Sequence, residues 1–227
     1  MTKLIWDRVG KKKYETGVSR GVFYPKDGPG VVWNGLISVT ESPTGGENSS
    51  SYADNGKYLT LTSIEEFAAT IEAYSAPEQF LNGCDGRVTL FPGLSVGQQV
   101  RKPFGFSYTS LVGNDTQGVD HAKKIHLIYG ALALPSEKSR TTVSDAPEAV
   151  VFSWEITASE QQELPNTKPF VNLTLDSSTV PKYVLDRVED ILYGTNNTDP
   201  RLPSASEIMT LFEPQVDAFT STFEETF

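Results

Sequence analysis

Apolar and polar residues alternate with a period of two in segment after segment of this chain, and that pattern constrains the fold most. A strand with this period places all its apolar side chains on one side of a pleated ribbon and must bury that side. The governing stretch is Val31 to Tyr74. It opens with an alternating segment, Val31 to Thr40, in which Val31, Trp33, Gly35, Ile37 and Val39 form the stronger core face against Val32, Asn34, Leu36 and Ser38. It closes with another at Phe67 to Tyr74, and Tyr58 to Thr62 is a third candidate strand.

Between these strands lies a polar excursion rich in Gly, Ser and Asn, from Glu41 to Gly56. A hairpin connection needs only about 2 to 5 residues, so a segment of this length is expected to reach toward another molecule. At Ser63-Ile64-Glu65-Glu66 a serine stands three residues before a glutamate, the pattern of a helical capping box. The spacing of Ile64, Phe67, Ala68 and Ile71 allows a helix over Ser63 to Tyr74. The preferred reading is one helical turn followed by a strand from about Ala68 to Tyr74, with Ala69, Ile71 and Ala73 alternating with Thr70, Glu72 and Tyr74.

Elsewhere, Tyr14 to Tyr24 reads as a strand with Val18, Val22 and Tyr24 near one face and Ser19 and Phe23 on the other. Pro25 to Gly30 is a turn by residue type, since Pro fixes φ and Gly accepts positive φ. Pro77 to Phe80 is a short turn, and Arg87 to Phe91 is a strand ended by Pro92-Gly93. Phe104 to Val112 alternates clearly, with Phe104, Phe106, Tyr108 and Ser110 on one side. Lys124 to Leu134 is the most apolar strand, and Glu148 to Thr157 and Phe170 to Leu175 complete the set, with a second exposed loop at Pro135 to Pro147.

The period then changes. Val184, Leu185, Val188, Ile191 and Leu192 form one helical stripe between Pro181 and Tyr193. Thr179 suits the N-cap, Pro181 the first turn and Gly194 the C-cap. A shorter helix spans Ser204 to Phe212, with Ile208, Leu211 and Phe212 as its apolar side. Beyond it, Phe219, Phe223 and Phe227 recur every four residues among acidic ones, a stripe expected to dock on a neighbouring molecule.

Charge narrows the function classes. The formal net charge is −10, which argues against binding nucleic acid by neutralising phosphates. The charge is also polarised along the chain. Residues 1–26 hold seven Lys/Arg against two Asp/Glu, and residues 199–227 hold one Arg against six Asp/Glu. Two solvated ends would have this composition, and so would a subunit whose one end attracts the opposite end of its neighbour. No apolar run approaches the roughly 20 residues of a bilayer span, and the first residues are not a charged-then-apolar leader, so synthesis and folding in the cytoplasm of the producing cell, with no membrane partner, is the expectation.

Catalytic and metal-binding patterns are weak. The single cysteine, Cys84, excludes an intramolecular disulfide framework and a cysteine-clustered zinc site, and is expected to be a small partly buried residue beside the Cys-Asp-Gly turn. His121 and His126 lack spaced co-ligands, and His126 faces away from Ile125 and Leu127, toward a surface or interface. Gly28-Pro29-Gly30 and Thr44-Gly45-Gly46 lack the spacing and the Lys-Ser/Thr pair of a phosphate loop, and no serine nucleophile elbow is present. Carboxylate pairs can be assembled at will from 29 Asp and Glu, so they carry no information. The expectation is a protein that is not an enzyme and needs no cofactor.

The runs YETGVSRGVFY (Tyr14 to Tyr24), DGPGVVWNGLISVTESPTGGE, SIEEFAATIEAYSAPEQF and RKPFGFSYTSLVGND, in this order, resemble the major tail proteins, or tail tube proteins, of long-tailed bacteriophages with non-contractile tails. The resemblance runs from about Gly17 to Phe212. It implies a mainly β fold, a β-sandwich or half-barrel of the tail tube type with a flanking α-helix, a long polar loop and C-terminal helices. It divides the chain into a basic N-terminal arm at residues 1–16, a β domain at 17–178 with its extended loop at 41–57, and a C-terminal helical segment with an acidic tail at 179–227. It implies a structural virion protein of the tail, six copies of which form a ring and whose rings stack into the conduit for DNA ejection. The implied partners are further copies of the chain, the tape measure protein and phage DNA inside the lumen, and the tail terminator and tail tip proteins. Thr70 and Glu72 are then candidates to line the lumen. Thr44, Glu47, Asn48, Tyr52, Lys11, Lys12, Lys13, Phe219 and Phe223 are candidates for contacts between subunits or rings. The alternatives are a terminator or connector that forms single rings, and a monomeric β-sandwich binding module.

Overall fold

A computed structural model of the protein describes residues 3–140, 142, 148–159, 162–165 and 167–213. It is mainly β, with a large antiparallel sheet and three short helices. The elements are β1 (Lys13–Pro25), β2 (Val31–Trp33), β3 (Leu36–Glu41), β4 (Asn48–Ala53), β5 (Gly56–Thr62), β6 (Phe67–Ala73), α1 (Glu78–Leu81), β7 (Val88–Phe91), β8 (Leu94–Val96), β9 (Phe104–Asn114), β10 (Gly118–Ala133), β11 (Phe152–Ala158), β12 (Asn172–Asp176), α2 (Lys182–Tyr193) and α3 (Ala205–Phe212).

The main sheet runs β2-β1-β9-β10-β11-β6-β3, with β12 also pairing β10. Its two outermost strands are consecutive in sequence, separated only by Asn34-Gly35. The two ends of the sheet therefore have to meet, and the sheet curls into a half-barrel. Gly35 takes φ +76°, and a Cβ there would sit 3.3 Å from that of Tyr74. Three bonds pin this turn to the end of β6: Tyr74 N–H to the Gly35 carbonyl (2.9 Å), Trp33 Nε1–H to the Ser75 carbonyl (2.7 Å) and Ser75 hydroxyl to the Asn34 carbonyl (2.9 Å).

The turn breaks what the sequence presents as one strand from Val31 to Thr40. β2 pairs with β1, whereas β3 pairs with β6 and has an irregularity between Leu36 and Ser38. The extra residue reverses the facing, so Leu36 and Val39 pack on the core while Ile37 is exposed. Trp33 alone of the expected face is fully buried. Two register shifts in β1 have the same effect, bringing Val18 against the core that holds Phe23, away from Val22 and Tyr24.

Two apolar cores result, one on each side of the central strands. The inner core fills the half-barrel with aromatic rings. Trp33 lies 4.6 Å from Phe80, 5.4 Å from Trp154 and 5.5 Å from Phe106 between ring centroids, and Phe80 of α1 closes one end against Phe23 and Phe104. Edge-to-face pairs at these separations add to what area burial alone supplies. The outer core lies between the sheet and the C-terminal helices: Val22, Tyr24, Ile125, Leu127, Tyr129 and Leu175 meet Val184, Leu185, Val188, Leu192 and Ile208. β9 is sandwiched between both cores, so Phe104 to Ser110 are all buried, with Phe104, Phe106 and Tyr108 in the inner core.

The helical stripe of α2 is the one the sequence presents, and Gly194 is its C-cap at φ +76°. The N-cap is Pro181, not Thr179, whose hydroxyl donates to the Asp176 carbonyl in the preceding turn (3.2 Å). Ser204 caps α3 by accepting from Glu207 N–H at 3.2 Å. Two buried phenols fix these helices to the sheet: Tyr24 donates to the Leu192 carbonyl at 2.9 Å and Tyr129 to the Pro203 carbonyl at 3.0 Å.

Candidate interaction surfaces

The half-barrel is covered by helices on only part of its outside. Over β3, β6 and β11 the outward side chains are read from the register. Ala69, Ile71 and Ala73 point into the core with Trp154 and Ile156, so Thr70 and Glu72 point away, flanked by Thr40 and Ser38 on β3 and by Glu155 and Ser153 on β11. Thr70 and Glu72 are half-buried between neighbouring strands, and Glu155 and Thr40 are exposed. The Ser38 hydroxyl donates to Glu72 Oε2 at 2.7 Å. These positions carry two carboxylates, a set of hydroxyls and no cation. The sequence singles out Thr70 and Glu72 but not Glu155 or Ser153. Their place beside Thr70 and Glu72 depends on the pairing of β11 with β6, roughly 80 residues away in sequence, which no local pattern encodes.

The polar excursion is a β-hairpin rather than a loop, and β5, expected in the body, belongs to it. β4 and β5 pair from Asn48 opposite Thr62 to Ala53 opposite Gly56, and Asp54-Asn55 form the turn with both φ positive, at 48° and 64°. That is the I′ geometry that matches strand twist and that Asp and Asn tolerate. The root is closed by Thr44 and Glu66, which exchange backbone bonds of 2.9 and 2.7 Å, and by Glu47 and Ser63. Ser63 N–H donates to the Glu47 carbonyl (2.9 Å) and Glu47 N–H donates to the Ser63 hydroxyl (3.0 Å). The expected helical turn at Ser63 to Glu66 is absent because that hydroxyl caps the hairpin instead. Asn48 accepts from the Thr62 hydroxyl at 2.7 Å.

All seven residues of β5 are exposed. Tyr52 and Tyr58 are 73% and 74% exposed, Leu61 61% and Ile64, at the root, 77%.

The N-terminal segment is irregular, with a turn closed by Lys11 N–H to the Arg8 carbonyl (3.0 Å), and exposed, including Lys11, Lys12 and the apolar Leu4, Ile5, Trp6 and Val9. Gly10 N–H donates to Asp115 Oδ1 (2.9 Å), and Lys13, the first residue of β1, reaches Ser178 Oγ at 3.5 Å. Phe219 and Phe223 lie outside the described residues.

At the open end of the inner core, a polar cluster links five strands. Tyr108 donates to Glu41 Oε1 (2.9 Å) and stacks on His126 at 4.5 Å between ring centroids. His126 Nε2 lies 2.9 Å from Ser110 Oγ and its Nδ1 3.2 Å from Thr174 Oγ1. Ser110 donates to Glu15, which also pairs with Lys124. His126 does face away from Ile125 and Leu127, but its side chain is only 15% exposed, because that face is the mouth of the half-barrel and not open surface. Burial holds its imidazole below the ordinary value, and the bonds from Lys124 and then Ser110 hold the Glu15 carboxyl down. Every member is held by another protein group, which makes the cluster a structural seal. Among the described residues no group of three or more His, Cys, Asp or Glu is arranged to hold a metal ion, and no helix is long and apolar enough to cross a membrane.

No family model and no curated protein sequence matches the chain. Among solved structures it is similar to a chain of the sheath-tube complex of an extracellular contractile injection system, PVC, in the extended state, at TM-score 0.31 and 15% identity over 69% of this chain and 88% of that one. A likeness this loose carries no weight for function.

Proposed function

We propose that the chain is a structural subunit that assembles with copies of itself into stacked rings, forming a tube of the phage tail type. The observation that carries this reading is the β4–β5 arm. A two-stranded hairpin is marginal alone, and one that exposes Tyr52, Tyr58, Leu61 and Ile64 needs a partner surface. In a stack of rings the arm reaches the next ring, with Thr44 and Glu47 at its root, Asn48 at its first paired position and Tyr52 near its tip. The basic N-terminal segment, through Lys11, Lys12 and Lys13, meets the acidic C-terminal segment of a neighbour, whose Phe219 and Phe223 supply apolar contact.

The uncovered face of β3, β6 and β11 supplies the lumen wall. A conduit for DNA must not hold the duplex, and each Lys or Arg on phosphate adds affinity. A wall of Ser, Thr, Glu72 and Glu155 repels phosphate and keeps DNA sliding. Six copies per ring is the number the sequence resemblance implies, with the tape measure protein and DNA inside and the terminator and tip proteins at the ends. The role is architectural, with no catalytic step and no cofactor, and its place is the tail of a virion.

The arm can be tested separately from the fold. Because Glu47 and Ser63 are bonded to each other, residues 48–62 can be replaced by a short Gly-Ser turn without moving the body. Wild-type protein examined by negative-stain electron microscopy and light scattering over a concentration series is expected to give hollow tubes or stacked rings, and the arm-less protein a folded species that does not stack. Single rings from the wild type favour a terminator or connector, and a monomer at every concentration favours a binding module.

A further inference from the structure

A second apolar projection is built on quite different lines from the arm. β7 and β8 form a hairpin around Pro92-Gly93, and residues 88–100 contain no charged side chain, in a chain of which 21% is charged. Leu90, Phe91 and Leu94 are 55%, 68% and 52% exposed. The base of this hairpin is rigid. Asp85, its side chain only 2% exposed, pairs with Lys138 and with Arg101 (3.7 Å), and Arg101 also donates to the Ala133 and Leu134 carbonyls at 3.2 and 3.1 Å. Gln99 N–H to the Gly86 carbonyl and Lys102 N–H to the Gly83 carbonyl close the loop behind it. A buried ion pair is a costly way to gain stability, and its best-attested use is to fix geometry. Here it fixes an uncharged knob, held ready for contact so that little ordering entropy is lost on binding.

The same chain carries a cavity suited to such a knob. An open cleft of about 530 Å³ lies between the β1–β2 turn and α1. Its walls include Pro25, Pro29, Val31 and Pro103, and its charged lining residues balance, Lys26 and Lys102 against Asp27 and Glu78. Copies that each carry a net charge of −10 repel one another overall. A charge-free knob and a charge-balanced cleft are two surfaces that can meet without that penalty.

We infer that the Phe91-Pro92-Gly93-Leu94 tip of one copy inserts into the Pro25–Val31–Pro103 cleft of another, as a lateral contact distinct from the arm. The inference rests on the self-assembly reading and names the surfaces involved. A knob and a cleft at different places on one subunit make a heterologous contact, which closes into a ring when the rotation permits.

Cysteine pairing tests it. Phe91→Cys puts a thiol on the tip, and Gln79→Cys puts one on the exposed surface of α1 where it lines the cleft. The native Cys84, the one cysteine of the chain, also lines the cleft, so both variants carry Cys84→Ala and the two introduced thiols are the only ones present. The two variants are mixed at a concentration where electron microscopy shows assembly, then oxidised. The expected result is a disulfide-linked species at least about tenfold more abundant in the mixture than in either variant alone, by the effective concentration that apposition gives, and lost when Leu94→Asp is added to the Phe91→Cys chain. Assemblies that form without that mixed crosslink, or that link Phe91→Cys to itself, overturn the contact and leave the tube reading standing. Absence of any assembly overturns both.

Discussion

The half-barrel has two outsides, and they differ in kind. Over β1, β10 and β12 the outward apolar residues are Val22, Tyr24, Ile125, Leu127, Tyr129 and Leu175, all beneath α2 and α3, and the β9 hydroxyls of Ser107 and Thr109 are bonded there to Tyr24 and Tyr193. Over β3, β6 and β11 the outward residues are Ser38, Thr40, Thr70, Glu72, Ser153 and Glu155, outside the core that α2 and α3 cover. Both belong to one sheet with one inner core, so the inner packing does not require the difference. An antiparallel sheet can keep one face wet, and this chain does so over half of its surface and not the other. The wet half presents mainly hydroxyls and carboxylates, with Ile37 at the β3 irregularity as an exposed apolar exception, which suits a wall facing water and not a site waiting for an apolar partner. The arm and the β7–β8 tip, by contrast, expose apolar groups and are surfaces that a partner must cover.

The sharpest way to break the comparison is to make the covered side resemble the bare one. Leu127→Asp buries an unpaired carboxylate under α2 and is expected to leave no cooperative unfolding transition. The milder Leu127→Ala is expected to cost about 2–5 kcal/mol in chemical denaturation. The two core tryptophans come next. Trp33→Phe loses the bond to the Ser75 carbonyl that holds the β2–β3 turn, at roughly 1–3 kcal/mol beyond the change in volume. Trp154→Phe loses volume only, since Trp154 Nε1 has no hydrogen-bond partner among the described residues, and a larger loss for Trp154 than for Trp33 would contradict the role given to that turn.

The polar seal at the mouth of the half-barrel makes stability depend on pH. His126 is held below its ordinary 6.5 by burial, so on acidification the unfolded chain takes up that proton first. Folding stability therefore falls as pH drops below about that value toward the folded-state value. Glu15, held below 4.5, adds stability at neutral pH that is lost as pH falls through its lower folded value. Thermal melts across pH are expected to show both losses, with His126→Gln removing the first and Glu15→Gln the second. Glu15 is well exposed, so its share is the smaller after solvent screening. A melting profile unaltered by either substitution would count against the seal.

The smallest effect on stability, and the most telling for function, belongs to the bare face. Glu155→Lys, at an exposed position, is expected to shift folding by no more than about 0.5 kcal/mol, and Glu72→Lys, which gives up the bond from Ser38, by about 1 kcal/mol. Assembled tubes of the double variant are nonetheless expected to retain duplex DNA at low salt and release it at high salt, where wild-type tubes retain none.

Most of this architecture was legible locally. The stripe on α2, Ile191 apart, and the strand over Ala69, Ile71 and Ala73 reflect burial on one side of a regular element, and in β9 the alternation of Phe104, Phe106 and Tyr108 marks the side that meets the inner core although both sides are buried. The failures are all at places where the chain departs from a regular period. The extra residue between Leu36 and Ser38 and the shifts in β1 move side chains to the other face, and a pattern of two cannot register a residue that is skipped. Over 41–56, Ser, Asn and Gly suggest a loop where no core constrains them, and the structure has a hairpin. Its strands are visible only once Asp54-Asn55 is seen as a turn between Tyr52 and Tyr58. Glu155 joins Glu72 through a pairing distant in sequence, and the β7–β8 knob takes its meaning from Asp85, whose partners lie 16 and 53 residues away. Long-range facts of this kind leave no periodic trace.

A cryo-electron microscopy map of the assembled tube tests the central claim most directly. The account predicts that the β3–β6–β11 face lines the channel, with Glu72 and Glu155 facing the lumen and the helices α2 and α3 outside it. A map that places that face in a contact between subunits, or on the outer shell, would contradict it.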